Sequence, residues 1–404
     1  MKPLDLLAID QHAPFIQYIR KVGNRHFNVV ESPTDRYGIA LHAVNSHEIT
    51  SKLLNLINAN PHLGKALESG APLLLDCCTE GPAFHRPTWE AIHSVLEAVG
   101  MRSSQVTYIS NNHSFNGAYY KWISDTKLES INVLQYNIFF RAVANGMRQR
   151  ILQRSDRKEV IESIFPFSGK KVSRFLCLNH RLRGHRLVVL GRIVRLGVFD
   201  KGYVSVLGGD SDKGSVSLEA SLRSAFEMFP RFGRDLEAFK SIADQIPIRI
   251  AADSSGNHIS SISLPMYSQT WFSLVNETEM TLGGVRRFTE KSVKPLLAGH
   301  PTLVAGNPGT LSLLKSYGFE TFSSCIDEAY DMIANREDRL EAVLDEFERL
   351  VNLPEDQILK LAADLWPVHD SNLKYLESGL AARLEEEDLA IANTMQAAFD
   401  LALP

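Results

Sequence analysis

The sequence predicts an α/β fold: two Rossmann-like domains in tandem, facing a cleft, with helices trailing at the C-terminus. Three observations carry this reading. A chain of 404 residues, 44 % hydrophobic, is long enough to bury two cores. The stretch Trp271 to Gly309 reads strand, polar loop, helix, strand. The same succession occurs earlier, from Leu73 to Ile109, so the βαβ pattern is present in both halves.

Taken in order, Phe27–Val30 and Gly38–Leu41 read as strands, and His47 to Ile57 as a helix. Leu73-Leu74-Leu75 is a short buried strand running out into Asp76-Cys77-Cys78-Thr79-Glu80-Gly81-Pro82, a loop rich in turn residues. A helix follows from Pro87 to Val99, with proline in its first turn. Val106–Ile109 is the next strand and ends in Ser110-Asn111-Asn112-His113. Residues 139–164 are helical in pattern and basic, carrying Arg141, Arg148, Arg150, Arg154, Arg157 and Lys158. Pro166 to Lys171 has linker composition, which sets the expected domains at 1–165 and 172–380, with a C-terminal helix at 381–404.

The second domain opens on the strand Phe175–Leu178, which ends in Asn179-His180-Arg181-Leu182-Arg183-Gly184-His185-Arg186. A buried helix runs on to Leu196, and Tyr203–Leu207 is a strand. Trp271–Val275 is a buried strand ending in Asn276-Glu277-Thr278-Glu279. Thr289 is placed to cap a helix from Glu290 to Ala298; Gly299 stops it, and Pro301–Ala305 is the next strand. Helices from Ile326 to Val351 and from Leu384 to Leu401 close the chain.

Open α/β sheets bind phosphate-bearing ligands at strand C-termini and helix N-termini. Asn179, Arg181, Arg183 and Arg186 gather at one such exit. Cations in the first turn of a helix oppose its macrodipole, an arrangement that an anion explains better than solvent does. Arg guanidinium forks also suit bidentate phosphate contact. Glu277, Arg286, Arg287, Thr289, Glu290 and Lys291 gather at the other exit. The plain alternatives are an i,i+4 pair between Glu290 and Lys294 and a loop pair between Glu277 and Arg286.

The pair FSLVNETE and RFTEKSVKPLLAGHPTLVAG resembles the donor-site motif of the α1,3-fucosyltransferases and, more broadly, nucleotide-sugar glycosyltransferases of the GT-B architecture. Glu277, Thr289, Glu290, Lys291 and Gly299 match. Asn276 precedes Glu277 rather than following it, and the helix reads Lys294-Pro295-Leu296 where the family has Asn-Ala-Leu. The resemblance implies a nucleotide-sugar donor, with Glu290 on the ribose hydroxyls, Lys291 and Arg287 on the phosphates, and Glu277 on the sugar. The acceptor would be a glycan or lipid-linked glycan and the donor a GDP-sugar such as GDP-fucose. His300-Pro301 resembles the pair carried by CMP-sugar transferases, so a CMP-Kdo-type donor is the alternative. A non-catalytic sugar-nucleotide or glycan-binding protein is the rival from another class.

Transfer to a hydroxyl needs a proton acceptor, and Glu80 is the candidate base, with Asp76 and His113 as competitors on neighbouring strand exits. Glu80 could instead pair with Arg86. Asp210-Ser211-Asp212 spells the D-x-D of metal-dependent transferases, but it lies in the Gly-rich loop GGDSDKGS, where Asp serves turns. No cofactor and no essential metal are therefore expected. A net charge of −4 makes no case for nucleic acid. The absence of a signal pattern and of framework cysteine spacing points to the cytoplasm, and the basic helix at 141–158 also fits peripheral membrane contact.

Overall fold

The computed structural model describes residues 3–153, 173–208, 217–250, 262 and 264–400. The expected linker at 166–171, Asp210 to Asp212, and Arg154, Arg157 and Lys158 lie outside these residues, as do the side chains of Arg148 and Arg150. The chain divides into two compact units. One comprises residues 1–142, 284–287 and 381–404; the other comprises 143–283 and 288–380.

The first unit is built on a six-stranded, wholly parallel sheet in the order β2-β1-β3-β4-β5-β6. Its strands are β1 (Leu4–Ala8), β2 (Phe27–Val30), β3 (Tyr37–His42), β4 (Leu73–Cys77), β5 (Val106–Ser110) and β6 (Asn132–Gln135). Central strands β4 and β5 are buried at every position, as apolar runs covered on both faces require. One face packs Trp89, Tyr108, Phe115 and Tyr119. The other packs Phe15 and Tyr136 with Ile391, Met395 and Phe399 of the C-terminal helix Leu380–Asp400. That helix thus closes the core of the first unit. An ion-pair cluster fixes it there: buried Arg141 donates to Asp388 and Glu387, each at 2.8 Å, and lies over the Tyr136 ring.

Among the described residues the second unit has a four-stranded parallel sheet in the order β10-β9-β7-β8. These strands are β7 (Ser173–Asn179), β8 (Gly202–Val206), β9 (Thr270–Asn276) and β10 (Thr302–Ala305). The chain winds outward from β7 to β8, then crosses to β9 and β10 on the other side. The strand order therefore reverses between β7 and β9, and the two exits singled out in the sequence are neighbours at that reversal. In the first sheet the reversal falls between β1 and β3.

Two sequence expectations need correction. The helix expected from Ile326 begins at Arg336, because Asn335 caps it by accepting from the N–H groups of Glu337 and Asp338; a single 3-10 turn, Ala329–Met332, precedes it. Strand β1 and edge strand β6 went unread, since five and four residues between polar neighbours leave little periodicity to detect.

Candidate donor site and the exits of the first sheet

Asn179 ends β7 and Asn276 ends β9. Both are buried, and the Asn276 amide donates to Asn179 Oδ1 at 3.0 Å, tying the two strands at the reversal point. From β7 the chain turns directly into the helix Gly184–Arg195, whose N-cap, Arg183, makes no side-chain capping bond. His185 and Arg186 in the first turn are both 3 % exposed. His185 Nε2 meets the Glu277 carbonyl at 3.0 Å, and Arg186 donates to the same carbonyl at 2.9 Å and to that of Arg181 at 3.0 Å.

Among the described residues, every hydrogen-bond partner of the Arg186 guanidinium is thus a backbone carbonyl. Among the described residues no carboxylate pairs with it, and its buried Nε lacks a partner. Burial, and then the neighbouring Arg183 charge, push it down to about 10. His185 is pushed down to about 3 by burial and by Arg186, so it is neutral at ordinary pH. The result is a buried positive charge behind an uncapped helix N-terminus, with Arg183 half-buried in front. An anion is the natural complement.

At the other exit, Glu277 is fully engaged by its own unit. Oε1 accepts from the Thr289 N–H at 2.9 Å and the Ser292 hydroxyl at 2.6 Å. Oε2 accepts from the Thr289 hydroxyl at 2.7 Å and the Thr278 N–H at 3.1 Å. Burial opposes its charge, but Lys291 and these donors outweigh it and hold the carboxyl below its usual range. Glu277 therefore locks the start of the helix Glu290–Leu297 to the end of β9. Thr289 caps that helix as expected. Lys291 Nζ curls back to Glu290 at 2.9 Å, with Thr289 and Thr278 hydroxyls at 3.2 and 3.4 Å.

His300 lies in the core, 1 % exposed. A tautomer protonated at Nε2 donates to the Thr270 carbonyl at 2.9 Å and accepts at Nδ1 from the Ser273 hydroxyl at 2.8 Å. The ring thus joins β9 to the turn before β10.

In the first unit, the β5 exit holds residues 284–287. The Asn112 amide donates to Gly284, its Oδ1 accepts from the Arg286 N–H, and the His113 N–H donates to the Arg286 carbonyl. Buried Arg287 donates to Asn111 Oδ1 at 3.3 Å and stands 3.7 Å from half-exposed Glu80. Gly81 is obligatory beside it: its φ is +51°, and a Cβ there would stand 1.8 Å from Asn111 Oδ1. Arg86, the foreseen partner of Glu80, pairs with Glu90 instead. His113 is pushed down to about 4 by burial, Arg286 and Arg383, which makes it a weak base. Asp76 is 1 % exposed and accepts from the Cys78 N–H and from His42. His42, the last residue of β3, meets the Asp76 carboxylate at 3.2 Å; its only signal in the sequence was a histidine ending an apolar run.

Among the described residues no helix is long and apolar enough to cross a membrane, and no group of three or more His, Cys, Asp or Glu is placed to hold a metal.

No protein-family profile matches the sequence, and no curated protein does. Solved structures do resemble the chain. An α,α-trehalose 6-phosphate synthase from Burkholderia multivorans aligns at 12 % identity and a TM-score of 0.48, covering 98 % of this chain and 100 % of that one. An α,α-trehalose-phosphate synthase (UDP-forming) from Burkholderia vietnamiensis aligns at 10 % and 0.47, covering both chains fully at 100 %. Another, from Burkholderia xenovorans, aligns at 13 % and 0.38, over 86 % of this chain and 73 % of that one.

Proposed function

We propose that this protein is a nucleotide-sugar glycosyltransferase of the GT-B type, binding its donor at the β7/β9 reversal point of the second unit. The observation that carries the reading is Arg186, a buried guanidinium whose hydrogen-bond partners among the described residues are all carbonyls, behind an uncapped helix N-terminus. Arg183, at the helix N-cap, adds a second cation that has no hydrogen bond or ion pair among the described residues. A diphosphate supplies the missing negative charge, and the same cations stabilise it as it leaves. Thr289, Glu290 and Lys291 open the helix at the adjoining exit, where the fucosyltransferase-like motif lies. They support ribose and phosphate contacts and a GDP-sugar as donor. The acceptor is a glycan, served by the first unit.

The bonding of His300 inside the core removes the main reason for a CMP-sugar donor. Glu277 supports the site by fixing its helix, since its carboxylate oxygens are already bonded. Calorimetry with GDP, UDP and CMP tests the proposal. GDP should bind most tightly, with affinity falling as salt rises, and Arg183→Ala should weaken it about tenfold, one charge-assisted hydrogen bond's worth. Binding of none of the three overturns the assignment; binding of GDP without release from any GDP-sugar would favour a non-catalytic sugar-nucleotide binder.

A further inference from the structure

We propose that Asn307 reads the base of the nucleotide, selecting one that carries a ring carbonyl, as guanine and uracil do, over adenine. The inference rests on the donor site proposed above and uses residues of the second unit alone. Asn307 stands two residues beyond the end of β10. Gly306, between them, lies against Glu277: a Cβ on it would stand 3.1 Å from the Glu277 Cβ. The exits of β10, β9 and β7 are therefore neighbours in a row.

The Asn307 amide has a fixed orientation. Oδ1 accepts from the Thr281 N–H at 2.7 Å and from the Thr281 hydroxyl at 3.1 Å. A backbone N–H can only donate, so the amide cannot be turned over. The Asn307 carbonyl is held as well, by the Thr310 hydroxyl at 2.8 Å. The residue is 4 % exposed. Its Nδ2 nevertheless has no partner among the described residues and is not shut off from solvent. A buried amide with its oxygen taken and its donor open is suited to an acceptor on a ligand.

Apolar surface adjoins that donor. Leu282 and Met332, 70 % and 76 % exposed, are the most exposed large apolar side chains among the described residues. Leu282 follows Thr281 and Met332 precedes Ile333 in the chain. Buried Arg339 donates to the carbonyls of Thr281 and Ile333, at 3.0 and 2.6 Å, so the two loops are side by side. One fixed donor beside apolar side chains suits a flat heterocycle with a carbonyl edge.

The order of the exits agrees. With the phosphates at the helix after β7 and the ribose at Glu290, after β9, the next exit outward is that of β10. It lies two strand spacings, about 10 Å, from β7. Phosphate, ribose and base then follow the strand ends in the order in which they are bonded. Guanine and uracil present a carbonyl oxygen to Nδ2. Adenine presents an amino group where guanine has O6, and a donor facing a donor leaves both unpaired.

Calorimetry on the full-length protein with GDP, UDP, ADP and inorganic pyrophosphate tests this. The wild type should bind GDP or UDP at least about tenfold more tightly than ADP. Asn307→Asp keeps an oxygen for Thr281 and puts an acceptor where the donor stood. It should remove that preference, weakening GDP and UDP about tenfold or more relative to ADP. Pyrophosphate, which has no base, should stay within about threefold, because the new charge is about a Debye length away. A wild type that binds ADP as tightly as GDP and UDP overturns the proposal, whether or not the variant folds. A folded Asn307→Asp protein with the wild-type preference also overturns it. So does one that loses pyrophosphate as strongly as GDP, which would put the amide on the phosphates. In all three cases the donor reading stands. Failure of the wild type to bind pyrophosphate or any of the nucleotides would remove the donor reading, and this proposal with it.

Discussion

Lys291 shows how a single residue can satisfy the fold and remain available for chemistry. Its ammonium rests on Glu290 and two hydroxyls, all at the start of one helix and close to the surface. Exchanging these contacts for phosphate oxygens costs little, because a partly exposed pair is worth little. Lys291→Ala should therefore leave the fold intact and weaken donor binding about ten- to a hundredfold, the loss of one charge-assisted hydrogen bond of roughly 1.5–3 kcal/mol. Glu290→Gln should cost less, since an amide oxygen still accepts from a ribose hydroxyl. Calorimetric titration of both variants with GDP checks this. Unchanged affinity in a folded Lys291→Ala protein would end the phosphate role.

Among the elements, the C-terminal helix is the one whose attachment is most open to test. Its apolar face closes the first core through Ile391, Met395 and Phe399, and Arg141 adds buried ion pairs to Asp388 and Glu387. Removing one side of a buried pair strands the other charge, at a cost of about 3–5 kcal/mol. Arg141→Met should lower the melting temperature of the first unit and open residues 381–400 to protease. If cleavage there is no faster than in the wild type, the apolar contacts alone hold the helix.

At the scale of the whole molecule, both units carry histidines that are folded in the neutral state. His113 in the first unit is pushed down to about 4, and His185 and His369 in the second to about 3 and about 4, burial being the first cause in each. Between pH 6.5 and these values the unfolded chain binds protons that the folded chain refuses. Stability therefore rises with pH in that window and falls on acidification, by about 1.4 kcal/mol per pH unit for each histidine. His42, whose pKa is raised, acts outside this window: its contribution is fully present below pH 6.5 and is lost as pH rises through its folded-state pKa. Denaturant melts at several pH values should show stability declining from just below pH 6.5. A flat profile down to pH 5 would contradict the neutral burial of these rings.

The sequence by itself determined the α/β class, most of the strands and the two exits of the second sheet. Buried parallel strands are apolar runs that stop abruptly, and Thr289, Gly299 and Pro301 mark helix and turn boundaries by local backbone chemistry. These signals survive in a linear reading because their causes lie within a few residues. What only the tertiary structure decided was partnership across the chain. The order of the strands put Asn179 against Asn276, Arg186 against the Glu277 carbonyl and His42 against Asp76. It bonded the Glu277 carboxylate to the start of its own helix and the His300 ring to Ser273 on the neighbouring strand. It also joined the last helix to the first core. The physical reason is that burial and hydrogen-bond saturation are set by neighbours that chain spacing does not specify. A histidine or glutamate carries the same letters whether its polar atoms face a ligand or are already taken by the protein.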